Sequence, residues 1–107
     1  MLRHVVVFRF KEGTTTAQID AIAAALRALP AQIPELRAYD VGVDAGLSPG
    51  NADFAVVADA DDEAGWATYR DHPAHRKVID ELISSVIESR TAVQYVIPDR
   101  VIPSGAG

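Results

Sequence analysis

The stretch LRHVVVFRF, residues 2–10, sorts its side chains by parity. Leu2, His4, Val6, Phe8 and Phe10 fall on one face, and Arg3, Val5, Val7 and Arg9 on the other. Alternation in a run rich in valine and phenylalanine predicts a β-strand. The second face is the informative one. Val5 and Val7 stand between two arginines, so a face that would simply meet water is partly apolar. A strand with apolar residues on both sides belongs to a sheet covered on both sides.

Working outward, TTTAQIDAIAAALRAL, residues 14–29, predicts a helix. Ile19, Ile22, Ala23, Leu26 and Leu29 recur at helical spacing, Thr15 or Thr16 can cap it, and Pro30 and Pro34 end it. ELRAYDVGVDAG, residues 35–46, predicts a second strand, with Leu36, Ala38, Asp40 and Gly42 on one side. The cluster GLSPGN is a turn signal, read as a tight hairpin into a third strand, DFAVVADAD, residues 53–61. There Phe54, Val56 and Ala58 share a face.

DEAGWATYRD, residues 62–71, predicts a short helix that His72-Pro73 breaks, because a residue before proline avoids helical torsions. Pro73 suits the first turn of a new helix, which carries Val78, Ile79, Leu82, Ile83, Val86 and Ile87 as an apolar stripe. TAVQYVI, residues 91–97, is the last strand. The order is β-α-β-β-α-β, an α+β arrangement of ferredoxin-like type: a four-stranded antiparallel sheet with helices on one face. Residues 1–97 form one domain, and residues 98–107, with two prolines and a Ser-Gly-Ala-Gly end, are a tail. The helix-free face includes Val5, Val7, Ala55 and Val57, so a homodimer packed through that open sheet face is expected.

Composition narrows the function classes. The chain has 107 residues, a net charge of −5 and no cysteine. One domain, no thiolate chemistry and no basic run follow, which argues against nucleic acid and anionic membrane as partners. RNA binding through an open sheet needs stacked aromatics and positive charge, both missing there. No apolar run approaches a membrane span and no leader pattern opens the chain, so a cytoplasmic setting is expected. Asp59, Asp61, Asp62 and Glu63 read as helix-start and solubility charges.

The chemistry concentrates in TYRDHPAH, residues 68–75, which holds two of the three histidines and one of the three tyrosines. His75 falls in the first turn of the second half-helix, on its buried stripe, where the positive helix end favours a neutral imidazole. A neutral imidazole can accept a proton. The plainer alternative is a histidine that bonds a backbone carbonyl and pins the helix break. Tyr69 can donate to a substrate carbonyl, or it can simply complete an apolar face with Trp66. His4, on the inward strand face, needs a partner: a ligand, a backbone group or Tyr95. His72 reads as a cap. A metal shared by His72 and His75 is disfavoured because Pro73 holds His72 out of the helix.

RHVVVFRFK and YRDHPAH, set in this element order, resemble the Dabb family, the stress-responsive dimeric α+β barrel domains. The resemblance covers Leu2 to about Ile97. It implies a homodimer whose sheets form a barrel. The Tyr-x-x-His-Pro-x-His run further resembles the catalytic pair of olivetolic acid cyclase, a family member that closes a linear polyketide thioester. It implies Tyr69 and His75 as catalytic residues and His4 as the first-strand histidine. Phe54 stands where that cyclase has a pocket histidine, and Ile22 and Leu26 where it has aromatics, so a different substrate is implied.

Together these readings give a small apolar carbonyl compound as ligand. The pocket walls are His4, Val6, Phe8, Ile22, Leu26, Phe54 and Val56, and any reaction is a cofactor-independent cyclase, lyase or isomerase step. No cofactor is expected. The resemblance also implies a possible Mg²⁺ at the main-chain carbonyls of Pro30, Ile33 and Leu36. A non-catalytic stress or assembly protein of the same fold is the alternative, and a cofactor-free monooxygenase or dehydratase a third.

Overall fold

The computed structural model describes residues 1–98. The tail expected over 98–107 lies outside the described residues, apart from Pro98. The elements are β1 (Leu2–Phe10), α1 (Thr16–Arg27), β2 (Ala38–Val43), β3 (Phe54–Ala60), α2 (Glu63–Asp71), α3 (Pro73–Val78) and β4 (Ile87–Val96). A 3-10 turn, Leu29–Ala31, follows α1, and a π-helical turn, Ile79–Ile83, follows α3. The four strands form one antiparallel sheet in the order β2-β3-β1-β4. This is the ferredoxin-like arrangement that the hydrophobic periods predict.

Local chemistry explains the element ends. Thr15 caps α1 through a reciprocal capping box with Gln18. Asp62 caps α2 by accepting the Gly65 N–H at 2.9 Å. His72 ends α2 in an extended conformation and caps α3, its Nδ1 accepting the Ala74 N–H at 3.1 Å. The helices cover one sheet face. There Phe54 stacks on Phe8 at 6.0 Å and meets Phe10 edge-on at 5.8 Å, with Ile22, Leu26, Leu29 and Ile33 fully buried around them.

Three expectations are corrected. The apolar stripe Val78–Ile87 is not one helix. The Ser84 N–H bonds the Ile79 carbonyl at 2.8 Å, a wide turn that ends the helix, and Val86 and Ile87 leave it. The last strand accordingly starts at Ile87 rather than Thr91. β1 draws these residues into the sheet, pairing Phe10 with Ile87 across a register shift at Arg9/Phe10. The connection between β2 and β3 is not a tight hairpin but a loop over 44–53. Asp44 organises it, accepting from Gly46 N and Asn51 Nδ2, and the Asp44 N–H closes it on the Asp53 carbonyl at 2.9 Å.

The helix-free face carries Val5, Val7, Ala55 and Val57, half-buried in the centre. Val93 and Tyr95 beside them are 54% and 46% exposed. Asp59 lies on this face too, yet is only 3% exposed, because Arg3 grips it through two bonds of 2.8 and 2.9 Å. No helix among the described residues is long and apolar enough to cross a membrane.

Candidate functional site

A cavity of about 300 Å³ opens between the sheet and the second helical segment. Its walls are His4, Val6 and Phe8 of β1, Leu26 of α1, Val56 of β3, Tyr69 of α2, His75 of α3, the turn residues Ile79, Ile83 and Ser84, and Ile87 and Arg90 of β4. Parity in the strands directs Val6, Phe8 and Val56 here, as the alternation predicts. The π-helical turn supplies the floor that the helical period did not reveal.

Tyr69 is 3% exposed. Its ring stacks on the His75 ring, with centroids 4.2 Å apart and planes inclined by 24°. Its hydroxyl lies 3.0 Å from that of Tyr39. Burial raises the pKa of both phenols, so each keeps its proton at neutral pH. Tyr39 comes from β2, far from Tyr69 in sequence, and no motif announces the pair.

His75 Nδ1 lies 3.1 Å from the carbonyl oxygen of Arg70. A carbonyl only accepts, so Nδ1 carries the proton and Nε2 is the bare nitrogen of the neutral ring. The pKa of His75 is lowered, first by burial; the carbonyls of Arg70 and Tyr69 oppose this, and the charges of Arg76 and Arg90 add to it. Burial is the first cause of its neutrality. The bond to Arg70 spans the break at His72-Pro73, so the pinning role and the proton-accepting role coexist in one geometry.

His4 is 5% exposed and its Nδ1 lies 2.6 Å from Gln94 Nε2. The amide donates, which leaves the proton of the neutral ring on Nε2. Burial first, then the charges of Arg90 and His75, lower its pKa to about 4. Its partner is Gln94 and not Tyr95, which pairs with Arg3 on the opposite face. Trp66 packs beside His4 with ring centroids 5.8 Å apart.

Of the expected walls, His4, Val6, Phe8, Leu26 and Val56 line the cavity with Tyr69 and His75. Ile22 and Phe54 do not. They are 1% and 2% exposed and belong to the packed core behind it. Parity and helical phase turn both side chains inward, but depth is a tertiary property. Ile79, Ile83, Ser84, Ile87 and Arg90 were not anticipated as walls. Ile79 and Ile83 were visible only as helix stripe, and Arg90 fell outside the expected strand.

The acidic run divides into separate structural tasks. Asp59 binds Arg3, Asp61 binds Arg37 at 2.9 Å, and Asp62 caps α2. Pro30, Ile33 and Leu36 lie on the turn after α1 and the segment beyond it, and the Ile33 carbonyl already accepts the Leu36 N–H at 3.1 Å. These carbonyls bring no formal charge. Among the described residues no group of three His, Cys, Asp or Glu stands where it could hold a metal ion. A hard cation at this turn would rest on neutral main-chain oxygens, without a carboxylate.

Known proteins extend the picture. A Thermobifida fusca structure, described as a dimeric ferredoxin-like protein of unknown function, is 45% identical with a TM-score of 0.84 and covers 90% of each chain. An uncharacterized protein of Streptomyces coelicolor is 33% identical over 78 residues, 71% of this chain and 80% of that one. Hydroxynitrile lyase from Passiflora edulis is 22% identical with a TM-score of 0.78, over 94% of this chain and 96% of that one, a likeness of fold alone. The family model for the stress responsive A/B barrel domain, Dabb, matches residues 2–97. With that match spanning nearly all of the sequence, the chain belongs to the Dabb family.

Proposed function

We propose that the chain assembles as a homodimer and binds a small, largely apolar carbonyl compound in the cavity of each subunit. There it removes a proton from the carbon beside the carbonyl. The observation that carries this reading is the stacked Tyr69–His75 pair in an apolar cavity, a protonated phenol beside an imidazole with its proton committed to Nδ1.

In the proposed step, the Nε2 lone pair of His75 takes the α-proton. The C–H electron pair moves into the carbonyl, and negative charge gathers on its oxygen. Tyr69 donates its O–H to that oxygen. Tyr39, which does not border the cavity, donates in turn to the Tyr69 oxygen and so strengthens it as a donor. The resulting enolate is the species shared by cofactor-independent cyclase, lyase and isomerase chemistry. The proposed base and acid need no cofactor for the transfer.

The homodimer is supported by the apolar centre of the helix-free sheet face and by the dimeric Thermobifida relative. A cytoplasmic setting is part of the same proposal; the described fold needs neither a disulfide nor a membrane-spanning helix. A second reading has its own support. The bond from His75 to the Arg70 carbonyl would suit a purely structural pin in a non-catalytic assembly protein.

Deuterium exchange separates the two. Small aryl and alkyl ketones and a β-keto thioester are incubated in D₂O, and α-deuteration is followed by NMR. The catalytic reading expects exchange above the buffer rate, lost in His75→Gln and reduced in Tyr69→Phe. No exchange above buffer with any of them, in a dimer that remains intact, would leave the assembly reading standing instead.

A further inference from the structure

Arg90 sits on the helix-facing side of β4, opposite Phe8 in the β1 register, and borders the cavity. Among the described residues it has no hydrogen-bond or ion-pair partner. Every other described arginine has one. Arg3, Arg37, Arg70 and Arg76 each hold an aspartate, and Arg9 and Arg27 each donate to a backbone carbonyl. The lining contains no aspartate, glutamate or lysine. Its remaining polar groups are Tyr69, Ser84, His4 and His75. The cavity therefore presents apolar walls and a single permanent charge, which is positive.

We infer that Arg90 is an anion anchor, and that the ligand of this cavity is a small keto acid: an apolar carbonyl compound with a carboxylate for the guanidinium to grip. This rests on the carbonyl-binding reading and narrows its substrate class. Guanidinium matches carboxylate geometry and forms paired, charge-assisted hydrogen bonds. A ligand held there is oriented along the cavity, its apolar part against Val6, Leu26 and Ile83. The same charge acts on the site residues: Arg90 lowers the proton affinity of His4, Tyr69 and His75. It thus also favours negative charge developing at the Tyr69 end of the ligand. A cavity of about 300 Å³ is at the small end for such sites, which suits a compact keto acid and not a long acyl chain.

The test uses a matched pair on the full chain: benzoylpropionate, an aryl γ-keto acid, and its methyl ester. Affinities are measured by calorimetry and by NMR shifts for wild type, Arg90→Met and Arg90→Lys, with the NMR spectra also reporting that each variant is folded. The acid is expected to bind about tenfold or more tightly than the ester to wild type. That preference should vanish in Arg90→Met and persist in part in Arg90→Lys. Equal binding of acid and ester, or a preference that survives in Arg90→Met, overturns the anion anchor while the carbonyl-binding reading stands. If neither compound binds wild type, both fall.

Discussion

Tyr69 and His75 share a wall, yet no hydrogen bond joins their side chains. Their rings stack at 4.2 Å, yet the Tyr69 hydroxyl is held by Tyr39 and His75 Nδ1 by the Arg70 carbonyl. Each polar end is thus positioned by a different element, β2 for the phenol and the helix break for the imidazole. This arrangement leads to separable expectations for stability, pH and assembly.

Replacing Tyr69 by Phe strips the hydroxyl of half-buried Tyr39 of its partner. The loss should be about 1–3 kcal/mol by urea unfolding. Removing both hydroxyls, in Tyr39→Phe/Tyr69→Phe, should cost less than the two single changes added together, because no orphaned group remains. Strict additivity would mean that the two hydroxyls are not coupled.

His4 should make the fold sensitive to mild acid. Its folded pKa is lowered to about 4, against about 6.5 in the unfolded chain. Between those values the unfolded chain binds the extra proton, so stability rises with pH. The contribution is fully present above about pH 6.5 and is lost as pH falls towards about 4. Its full size is roughly 3 kcal/mol. His75, shifted in the same direction, adds to the slope. His4→Gln should flatten the stability profile in this window; an unchanged slope would show that His4 is not its source.

The helix break has its own signature. His72→Ala removes the acceptor for the Ala74 N–H and should destabilise by about 1 kcal/mol. His75→Ala should cost stability as well if the bond to Arg70 is mainly a pin. A neutral or stabilising change would instead mark a residue retained for chemistry.

The proposed sheet-face dimer predicts that Val5→Glu or Val7→Glu yields monomers. Both side chains are central on the helix-free face, with Val57 and Ala55 opposite them. Burying an unpaired carboxylate there is strongly unfavourable. Sedimentation at micromolar concentration reads the outcome directly, and dimers that persist in both variants would move the interface elsewhere.

Leu26 joins the cavity to the core. At 2% exposure, its replacement by Ala should cost about 2–5 kcal/mol, at the larger end if the existing cavity cannot collapse around the gap. Arg90→Met should leave unfolding nearly unchanged, since Arg90 has no described partner to lose. Together the two separate a wall that holds the fold from one that only borders the cavity.

How much of this was legible depends on the range of the interaction involved. Parity in LRHVVVFRF, the helical spacing of Ile22, Leu26 and Leu29, and the His72-Pro73 break are local signals, and each predicted its element. The caps at Thr15, Asp62 and His72 are equally local. The Tyr39–Tyr69 pair, the Gln94 partner of His4 and the early start of β4 are not. They depend on which strands become neighbours, and on a π-helical turn that a 3.6-residue period cannot distinguish from ordinary helix.

By itself, then, the sequence determined the element order, the face each strand residue takes and the clustering of Tyr69 and His75 around one break, because these follow from torsions and side-chain periodicity within a few residues. Only the tertiary structure decided depth. It sent Ile22 and Phe54 into the core, brought Arg90 to the cavity, and paired Tyr39 with Tyr69. Burial and long-range contact arise when distant segments exclude water from each other, and no local pattern encodes that.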